Sequence, residues 1–263
     1  MQISETSTEF NKFILDLQKK INKISLRSYN KKLFIKLKND KKYDIVTNLD
    51  IKIEKFLKNE IKKKFPHHSF KGEELQNKNN NSNFSWFIDP IDGTKGMVIG
   101  LPTWSNMIGL FNSKKAIFSL INYPMMNKFY FTFKKKSFVS ENNKIKKIKS
   151  SKVYNLNKAK IITNSIHTLK NKYLFNFFKN FKGFFKITGA DSYNFCLIAE
   201  GKVDILIEDK LKVVDIMPTI SLLENAGAII TDWNGKRNFK LGKILVTSNK
   251  KLHSQFLKKL KRI

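Results

Sequence analysis

The sequence predicts a mixed α/β protein in which layers of helices and sheets alternate. Two helical patterns open the chain, within residues 7–25 and 47–65, and bulky strand-like runs dominate residues 84–139. In the second half, single strands and short helices follow one another without the regular spacing of a βαβ repeat. Because each helix stripe and each sheet face must be covered by another layer, we predict a layered α/β (α+β) sandwich.

The first two elements are predicted to be amphipathic helices. Apolar residues recur every three or four positions in the first of them, at Phe10, Phe13, Ile14, Leu17, Ile21 and Ile24. Thr47 supplies a hydroxyl that can cap the second helix, which would end near Phe65. Asp50 would then lie in the first turn of this helix, near the positive end of its dipole.

A solvated loop and a series of strands come next. Residues 77–83 are nearly all Asn, Lys and Ser, which is typical of an exposed loop. Residues 84–88 form a short bulky run, and residues 107–111 and 116–123 have the pattern of paired strands. Residues 128–139 predict further strands, so this part of the chain is expected to be rich in β-structure.

A polar, basic segment at residues 141–151 is predicted to separate two halves of one catalytic unit, residues 1–145 and 146–263. In the second half we predict strands at 161–162, 203–207 and 228–231, and helices at 193–200 and 218–226. Gly201 and Gly227 follow these two helices, where glycine is favoured because it adopts the left-handed conformation.

Composition describes a globular chain with an unusual charge. At 263 residues and 41% hydrophobic content, the chain can bury one large core or two small ones. The formal charge is +30, from 51 Lys and Arg against 21 Asp and Glu, which would suit nucleic acid or an anionic membrane. The lysines occur in every segment, however, without an RNP-type aromatic motif, zinc-finger spacing or Gly-Arg repeat. We therefore attribute the charge to compositional bias and expect no dedicated nucleic-acid partner.

The single cysteine and the N-terminus restrict the class of protein further. Cys196 alone excludes an intramolecular disulfide framework and a Cys-based zinc cluster, and its apolar neighbours predict a buried thiol. The N-terminal residues lack the basic and apolar regions of a signal peptide, and no apolar stretch is long enough to span a bilayer. We expect a cytoplasmic protein with no membrane partner.

The most specific chemical signal is the run Trp-Phe-Ile-Asp-Pro-Ile-Asp-Gly-Thr at residues 86–94. Asp89 and Asp92 are three positions apart, with a proline between them and a glycine directly after them. A hard divalent cation needs oxygen ligands that converge from a stiff backbone, and the carbonyl of Ile91 is a natural third ligand. A bare pair of acids at this spacing is common in exposed turns, whereas the longer pattern is far more specific.

Four further positions offer carboxylates for the same site: Glu73 with its neighbour Glu74, Asp215, Glu208 and Asp50. In an extended segment neighbouring side chains point to opposite sides, so we assign Glu73 as the ligand, although an exposed acidic pair fits the spacing equally well. Asp215 begins a predicted helix, where an N-cap is the alternative role. Together such carboxylates could hold two Mg²⁺ ions that hydrolyse a phosphomonoester.

These motifs resemble the inositol monophosphatase family, whose members are Mg²⁺-dependent, lithium-sensitive phosphatases with the fructose-1,6-bisphosphatase-like fold. The resemblance covers residues 10–235. The matching segments are Val46-Thr47-Asn48-Leu49-Asp50, Gly72-Glu73-Glu74, Asp89-Pro90-Ile91-Asp92-Gly93-Thr94, and Asp215 with the later Gly227-Ala228.

The resemblance implies roles for individual residues. The metal ligands would be Glu73, Asp89, the carbonyl of Ile91, Asp92 and Asp215, holding two or three Mg²⁺ ions. Glu73 and Thr94 would activate the attacking water, and Asp50 would assist catalysis through a weaker third metal or its waters. The backbone of Asp92, Gly93 and Thr94 would receive the phosphate at a helix N-terminus. The resemblance also implies a homodimer that acts on a small phosphorylated metabolite.

Two stretches are most similar to the histidinol-phosphatase branch of the family: Gly189-Ala190-Asp191-Ser192-Tyr193 and residues 208–215. Histidinol phosphate carries an amine and an imidazole that can both be protonated, and Asp191 and Glu208 would pair with them. Gly189, Ala190 and Asp215 would also face the substrate. The alternative role for Asp191 is the N-cap of the next helix. Val214 and Met217-Pro218-Thr219 depart from the family pattern beside the substrate.

We therefore predict a histidinol-phosphatase of histidine biosynthesis. Within the same chemistry, the alternative substrates are inositol monophosphate, a 3′-phosphonucleotide and fructose bisphosphate. The alternative from another class is a basic, nucleic-acid-binding protein that keeps the fold without activity.

Overall fold

The first half of the chain forms two long helices, a hairpin and a large sheet. The computed structural model describes residues 7–39, 42–166 and 171–260. The elements are α1 (Thr8–Tyr29), β1 (Ile35–Asn39), β2 (Lys42–Thr47), α2 (Asn48–Lys64), β3 (Ser69–Gly72), β4 (Phe84–Asp92), α3 (Thr94–Val98), β5 (Ser105–Asn112), β6 (Lys115–Tyr123), β7 (Lys128–Phe133), β8 (Lys136–Glu141) and β9 (Lys144–Ile148). Strands β1 and β2 pair with each other. Strands β3 to β9 form a seven-stranded sheet in chain order, with only the β3–β4 pair parallel.

The second half supplies a five-stranded sheet and five shorter helices within the described residues. Its elements are β10 (Ile161–Thr163), α4 (Lys172–Lys179), β11 (Phe185–Ile187), α5 (Tyr193–Ala199), β12 (Ile205–Glu208), α6 (Val213–Ile216), α7 (Ile220–Ala226), β13 (Ile229–Thr231), β14 (Ile244–Thr247) and α8 (Lys250–Leu260). The strand order is β11-β10-β12-β14-β13. The first three of these are parallel, and β14 runs antiparallel to both of its neighbours.

The elements stack in alternating layers. Helices α1 and α2 cover one face of the seven-stranded sheet, where Ile14, Ile53 and Trp86 are buried together. The other face packs on α5, α7 and one face of the five-stranded sheet, in a core that includes Tyr123 and Leu223. Helices α4 and α8 cover the remaining face of the smaller sheet. The predicted layered α/β sandwich is therefore confirmed.

Both N-terminal helices are confirmed, and the second one explains why Asp50 is buried. Thr47 caps α2, and its hydroxyl accepts the N–H of Leu49 at 3.2 Å. Asp50 lies in the first turn and accepts the backbone N–H of Thr47 at 2.8 Å, which completes a capping box. The cap therefore fixes the position of an acid that the sequence placed near the site.

Three details of the predicted elements differ in the structure. The polar, basic segment at residues 141–151 contains strand β9, which was not predicted. It pairs with β8 at the edge of the large sheet, where exposed lysines are tolerated. The helix predicted at residues 218–226 begins at Ile220, after a short 3-10 turn at Met217–Thr219. Asp215 is not the N-cap residue, because Lys212 holds that position and Asp215 lies in the first turn of α6, where its carboxylate accepts the backbone N–H of Lys212 at 2.7 Å.

The remaining expectations concern the thiol and the membrane. Cys196 is buried in α5, as its neighbours predicted. No helix in the described ranges is long and apolar enough to cross a bilayer. Residues 1–6, on which the expectation of no signal peptide depends, lie outside the described residues.

Candidate active site

The acidic turn lies at the end of β4, where the strand gains one residue relative to β5. Asp89 pairs with Met107 and Asp92 pairs with Ser105, so three steps along β4 match two along β5. Because side chains alternate along a strand, residues three apart would point to opposite faces of a regular strand. The bulge allows Asp89 and Asp92 to line the same cleft.

Gly93 connects this bulge to α3. Its φ of +80° is in the left-handed region, which glycine adopts without steric cost. A Cβ atom at this position would lie 2.7 Å from Oδ2 of Asp191, so the Asp191 carboxylate packs directly on the turn. Only glycine permits both the backbone conformation and this close approach.

The cleft beside the turn has a volume of about 280 Å³ and is lined mostly by charged side chains. Six of the lining residues are acids: Asp44, Glu73, Asp89, Asp92, Asp191 and Asp215. Three are lysines, namely Lys38, Lys95 and Lys212, and the others are Ile45, Ile91, Gly93 and Thr94. The structure thus brings together acids from five separate segments of the chain.

Three of these acids form a cluster suited to a cation. One carboxylate oxygen each from Glu73, Asp89 and Asp215 lies within 4.8 Å of the others. Asp89 is only 2% exposed, and its Oδ1 atom has no hydrogen-bond partner in the described part of the chain. A buried carboxylate oxygen without a partner is costly unless a cation binds it. The all-oxygen ligand set fits a hard divalent ion such as Mg²⁺.

Burial and mutual repulsion raise the pKa values of the clustered acids. Burial raises the pKa of Asp89 well above its ordinary value, and three neighbouring carboxylates raise it further. Burial raises the pKa of Asp92 in the same direction, with added repulsion from Asp191 and Asp215. Burial and the charge of Glu73 raise the pKa of Asp215 to about 7. A bound divalent cation would offset this repulsion.

Glu73 differs from the other acids because two lysines contact it. The Nζ atoms of Lys38 and Lys212 each lie 2.8 Å from Glu73 Oε1. Burial alone would raise the pKa of Glu73, but these ammonium groups outweigh it and lower the pKa below its ordinary value. Glu74 also pairs with Lys38, yet burial raises its pKa to about 7. Glu73 therefore faces the cluster as a carboxylate already paired with positive charge.

Thr94 connects the acidic turn to Asp50. Its hydroxyl is within donating distance of the carbonyl oxygen of Ile91, at 2.9 Å, and of Asp50 Oδ1, at 3.2 Å. Asp50 is fully buried behind the cleft, and burial raises the pKa of its carboxyl. Thr94 lines the cleft, and its hydroxyl oxygen has lone pairs that can accept a hydrogen bond from a water molecule. Asp50 therefore reaches the site through Thr94.

Glu54 is a positioning residue that the sequence analysis missed. It is fully buried in α2, and its carboxylate accepts the backbone N–H groups of Glu74 at 2.7 Å and Leu75 at 2.9 Å. Gly72 lies directly against the Glu54 carboxylate. A Cβ atom added at Gly72 would be 1.8 Å from Glu54 Oε1, so this position has no room for a side chain. The sequence offered one signal for this role: Glu54 is four residues after Asp50, and residues at that spacing lie on the same face of a helix.

The two acids predicted to bind the substrate, Asp191 and Glu208, both form hydrogen bonds with Asn164, a second residue that the sequence did not reveal. Asn164 Nδ2 donates to Asp191 Oδ1 at 2.6 Å, and its Oδ1 accepts the N–H of Asp191 at 2.8 Å. The backbone N–H of Asn164 donates to Glu208 Oε1. Ser192 is the cap residue of α5, so the prediction that Asp191 could be an N-cap was wrong.

Three other residues predicted to bind the substrate, Glu208, Gly189 and Ala190, do not line the cleft. Glu208 is 3% exposed at the end of β12, and its Oε1 also accepts the hydroxyl of Thr163 at 3.3 Å. Of Gly189, Ala190, Asp191 and Glu208, Asp191 is therefore the residue that lines the cleft.

The comparison with known proteins agrees with this geometry. The sequence profile of the inositol monophosphatase family matches residues 6–263. The chain belongs to the inositol monophosphatase family. Its predicted resemblance to that family is confirmed, and the protein is accordingly a metal-dependent phosphatase of small phosphorylated compounds.

Individual relatives of the family span most of the chain. The chloroplastic bifunctional phosphatase IMPL2 of Arabidopsis thaliana is 30% identical over 214 residues, which cover 75% of this chain and 59% of that relative. A fructose-1,6-bisphosphatase/inositol-1-monophosphatase of Aquifex aeolicus is 30% identical over 199 residues, which cover 72% of each protein. The extragenic suppressor protein suhB of Bartonella henselae has the same fold, with a TM-score of 0.83 at 24% identity over 97% of this chain and 99% of that one.

We expect the metal-free phosphatase to lose thermal stability as the pH rises from about 6.5 to about 8.5. The pKa of Asp215 is about 7 in the folded state against an ordinary 3.8, so the folded state binds more protons in this range than the unfolded state. Stability therefore falls as the pH passes through the folded pKa. His68 and His253, whose pKa values burial lowers to about 4, affect stability mainly below their ordinary value of 6.5.

Melting temperatures measured in EDTA and in excess Mg²⁺ test this expectation. Mg²⁺ should flatten the dependence, because it stabilises the ionised carboxylates. Asp215→Asn should reduce the dependence in EDTA without abolishing it, because burial also raises the pKa values of Glu74, Asp89 and Asp92. A melting temperature that rises with pH in EDTA over this range would contradict the assignment.

Proposed function

We propose that this member of the family hydrolyses L-histidinol phosphate to L-histidinol and phosphate, a step of histidine biosynthesis. The observation that carries the proposal is the Asp191 carboxylate, which lines the cleft beside Gly93 and accepts a hydrogen bond from Asn164. A protonated amine or imidazole of the substrate would donate a charge-assisted hydrogen bond to Asp191. Glu208, which accepts the backbone N–H of the same Asn164 but does not line the cleft, would contribute negative charge without direct contact. An uncharged polyol needs hydroxyl partners and no counter-charge.

The acidic cluster is the proposed metal site. Glu73, Asp89, Asp92, Asp215 and the carbonyl of Ile91 would hold two or three Mg²⁺ ions. Bound there, Mg²⁺ would polarise the phosphate, lower the pKa of a coordinated water and offset the charge of the leaving oxygen. The unpartnered oxygen of Asp89 and the all-oxygen ligand set support this choice.

Thr94 and Asp50 are the proposed proton acceptors for the attacking water. The Thr94 oxygen can accept a hydrogen bond from that water while its own proton is directed at Asp50 Oδ1. Because burial raises the pKa of Asp50, its carboxylate is a better base than an exposed aspartate. Glu73, which also lines the cleft, would orient the water. The backbone of Asp92, Gly93 and Thr94 would receive the phosphate oxygens.

Inositol monophosphate and fructose bisphosphate are the second candidate substrates. They are favoured by the relative from Aquifex aeolicus, whose name states both activities. A 3′-phosphonucleotide is a further alternative, and a basic nucleic-acid-binding role without activity is the alternative from another class. We also propose a cytoplasmic homodimer whose two halves, residues 1–145 and 146–263, form one catalytic unit.

Asp191→Asn is expected to lower kcat/KM for histidinol phosphate about thirtyfold and for inositol 1-phosphate less than about threefold. Asparagine tolerates the left-handed backbone of Asp191, whose φ is +43°, so the variant removes charge with little strain. Phosphate release should be measured with Mg²⁺ for both substrates, together with fructose 1,6-bisphosphate and adenosine 3′,5′-bisphosphate.

The substrate panel and the variant separate the possible outcomes. Poor turnover of histidinol phosphate by the wild type, beside good turnover of another compound, would exclude the specific assignment. Equal losses for both substrates in Asp191→Asn would show that this residue orders the cleft without selecting the substrate.

A further inference from the structure

Lys212 contacts two of the three clustered carboxylates through different groups. Its ammonium lies 2.8 Å from Glu73 Oε1, and its backbone N–H donates to Asp215 Oδ2 at 2.7 Å. The same ammonium lies 3.1 Å from Asp44 on β2. Lys212 therefore joins the β1–β2 hairpin, the loop after β3 and the start of α6 at one point.

The positive charge in the cluster is concentrated on one carboxylate. Lys38 on β1 reaches the same Glu73 oxygen as Lys212, also at 2.8 Å. Within the described ranges, no lysine forms an ion pair with Asp89 or Asp215. Two ammonium groups on one oxygen supply the charge that a divalent ion would bring to Glu73.

We propose that Lys212 and Lys38 act as tethered cations that hold Glu73 when no divalent ion is bound and oppose the binding of that ion. They would thereby set the metal affinity of the enzyme. This inference rests on the proposed metal site at Glu73, Asp89 and Asp215. Its physical basis is electrostatic, since an ammonium beside a ligand carboxylate repels an arriving dication and competes for the same charge.

The surroundings of the two lysines distinguish their parts. The Lys212 side chain is 47% exposed, so it can leave Glu73 and be solvated when the ion arrives. The Lys38 side chain is 17% exposed and is also held by Glu74, so it is less free to move. Lys212 is therefore the displaceable cation, and its removal is the simpler test because Lys38 also pairs with Glu74.

Isothermal titration of EDTA-treated protein with MgCl₂ tests the proposal. In Lys212→Gln we expect the Mg²⁺ dissociation constant to fall about tenfold, because one opposing charge is removed. The melting temperature of the metal-free variant should fall at the same time, because Glu73 loses a partner. A lysine with a merely structural role would lower the melting temperature without tightening Mg²⁺ binding.

Lys202→Gln is the matched control. Lys202 pairs with Glu200 at 3.0 Å and is absent from the cleft lining, so this variant makes the same charge change elsewhere. Unchanged or weaker Mg²⁺ binding in Lys212→Gln would overturn the proposal, as would an equal gain in Lys202→Gln. Lys38→Gln should also tighten binding, and it provides the test if Lys212→Gln does not fold. A wild type that binds no Mg²⁺ would refute the metal site itself, which is a different result.

Discussion

Asp89→Asn is expected to lower phosphatase kcat/KM at least about a thousandfold and to remove measurable Mg²⁺ binding at the cluster. Asp89 is the most deeply buried of the three clustered acids, and its Oδ1 lacks a protein partner among the described residues. The variant replaces a ligand oxygen and its charge at the point where the chain cannot supply a substitute. Among conservative substitutions of single residues that line the cleft, we expect none to lower activity more than Asp89→Asn.

The same variant should leave the metal-free protein about as stable as the wild type, within about 1 kcal/mol. Burial and the neighbouring carboxylates raise the pKa of Asp89 well above its ordinary value, so an uncharged amide of nearly the same shape removes a charge that the metal-free fold disfavours. This combination separates a metal ligand from a structural acid, whose replacement would cost stability and activity together.

Phosphate release, titration with Mg²⁺ and urea unfolding in EDTA measure the three quantities. Asp16→Asn is a suitable control, because Asp16 is an exposed residue of α1 that pairs with Lys20 at 2.8 Å. Full activity in Asp89→Asn would rule out the metal mechanism. A large loss of stability without loss of Mg²⁺ binding would show that Asp89 is a structural acid.

The elements that sequence patterns predicted best are those with local causes. The helical period from Phe10 to Ile24, the cap at Thr47 and the glycine after α5 each depend on residues a few positions apart, and the structure confirms them. Strand β9 was not predicted, because its exposed lysines have the composition of a loop. Its pairing with β8 is a tertiary contact that the segment itself does not encode.

The sequence predicted metal-binding chemistry at the acidic turn, but it did not predict the geometry of the turn. Three positions separate Asp89 from Asp92, and only the bulge opposite β5 allows both to line one cleft. Glu73 and Asp215 reach that cleft from distant segments, and nothing in the local sequence of either one specifies the approach. The partners of the predicted site residues were hardest to find. The local sequence does not distinguish Glu54 and Asn164 from other polar residues. Their roles follow from tertiary contacts, with Glu74 and with Asp191 respectively.

The second large effect is expected at Thr94, where loss of one hydroxyl should stop the reaction without affecting the metal. Thr94→Val should lower kcat about a thousandfold, within the usual range for proton transfer by a positioned group. Its Mg²⁺ affinity should stay within about threefold of the wild type, because the Thr94 side chain is not part of the carboxylate cluster. Loss of the hydrogen bond to buried Asp50 should also lower the free energy of unfolding by about 1–3 kcal/mol.

Thr94→Ser is the matched variant that identifies the cause of this loss. Serine keeps the hydroxyl between the carbonyl of Ile91 and the carboxylate of Asp50, so kcat should remain within about tenfold of the wild type. Valine keeps the branched shape and removes only the polar group, so the difference between the two variants measures the hydroxyl. If Thr94→Ser loses as much activity as Thr94→Val, the methyl group and the shape of the turn matter more than the proton. If Thr94→Val keeps its kcat, the attacking water gives its proton to another group, and Asp50 is then a capping residue of α2 with no part in the chemistry.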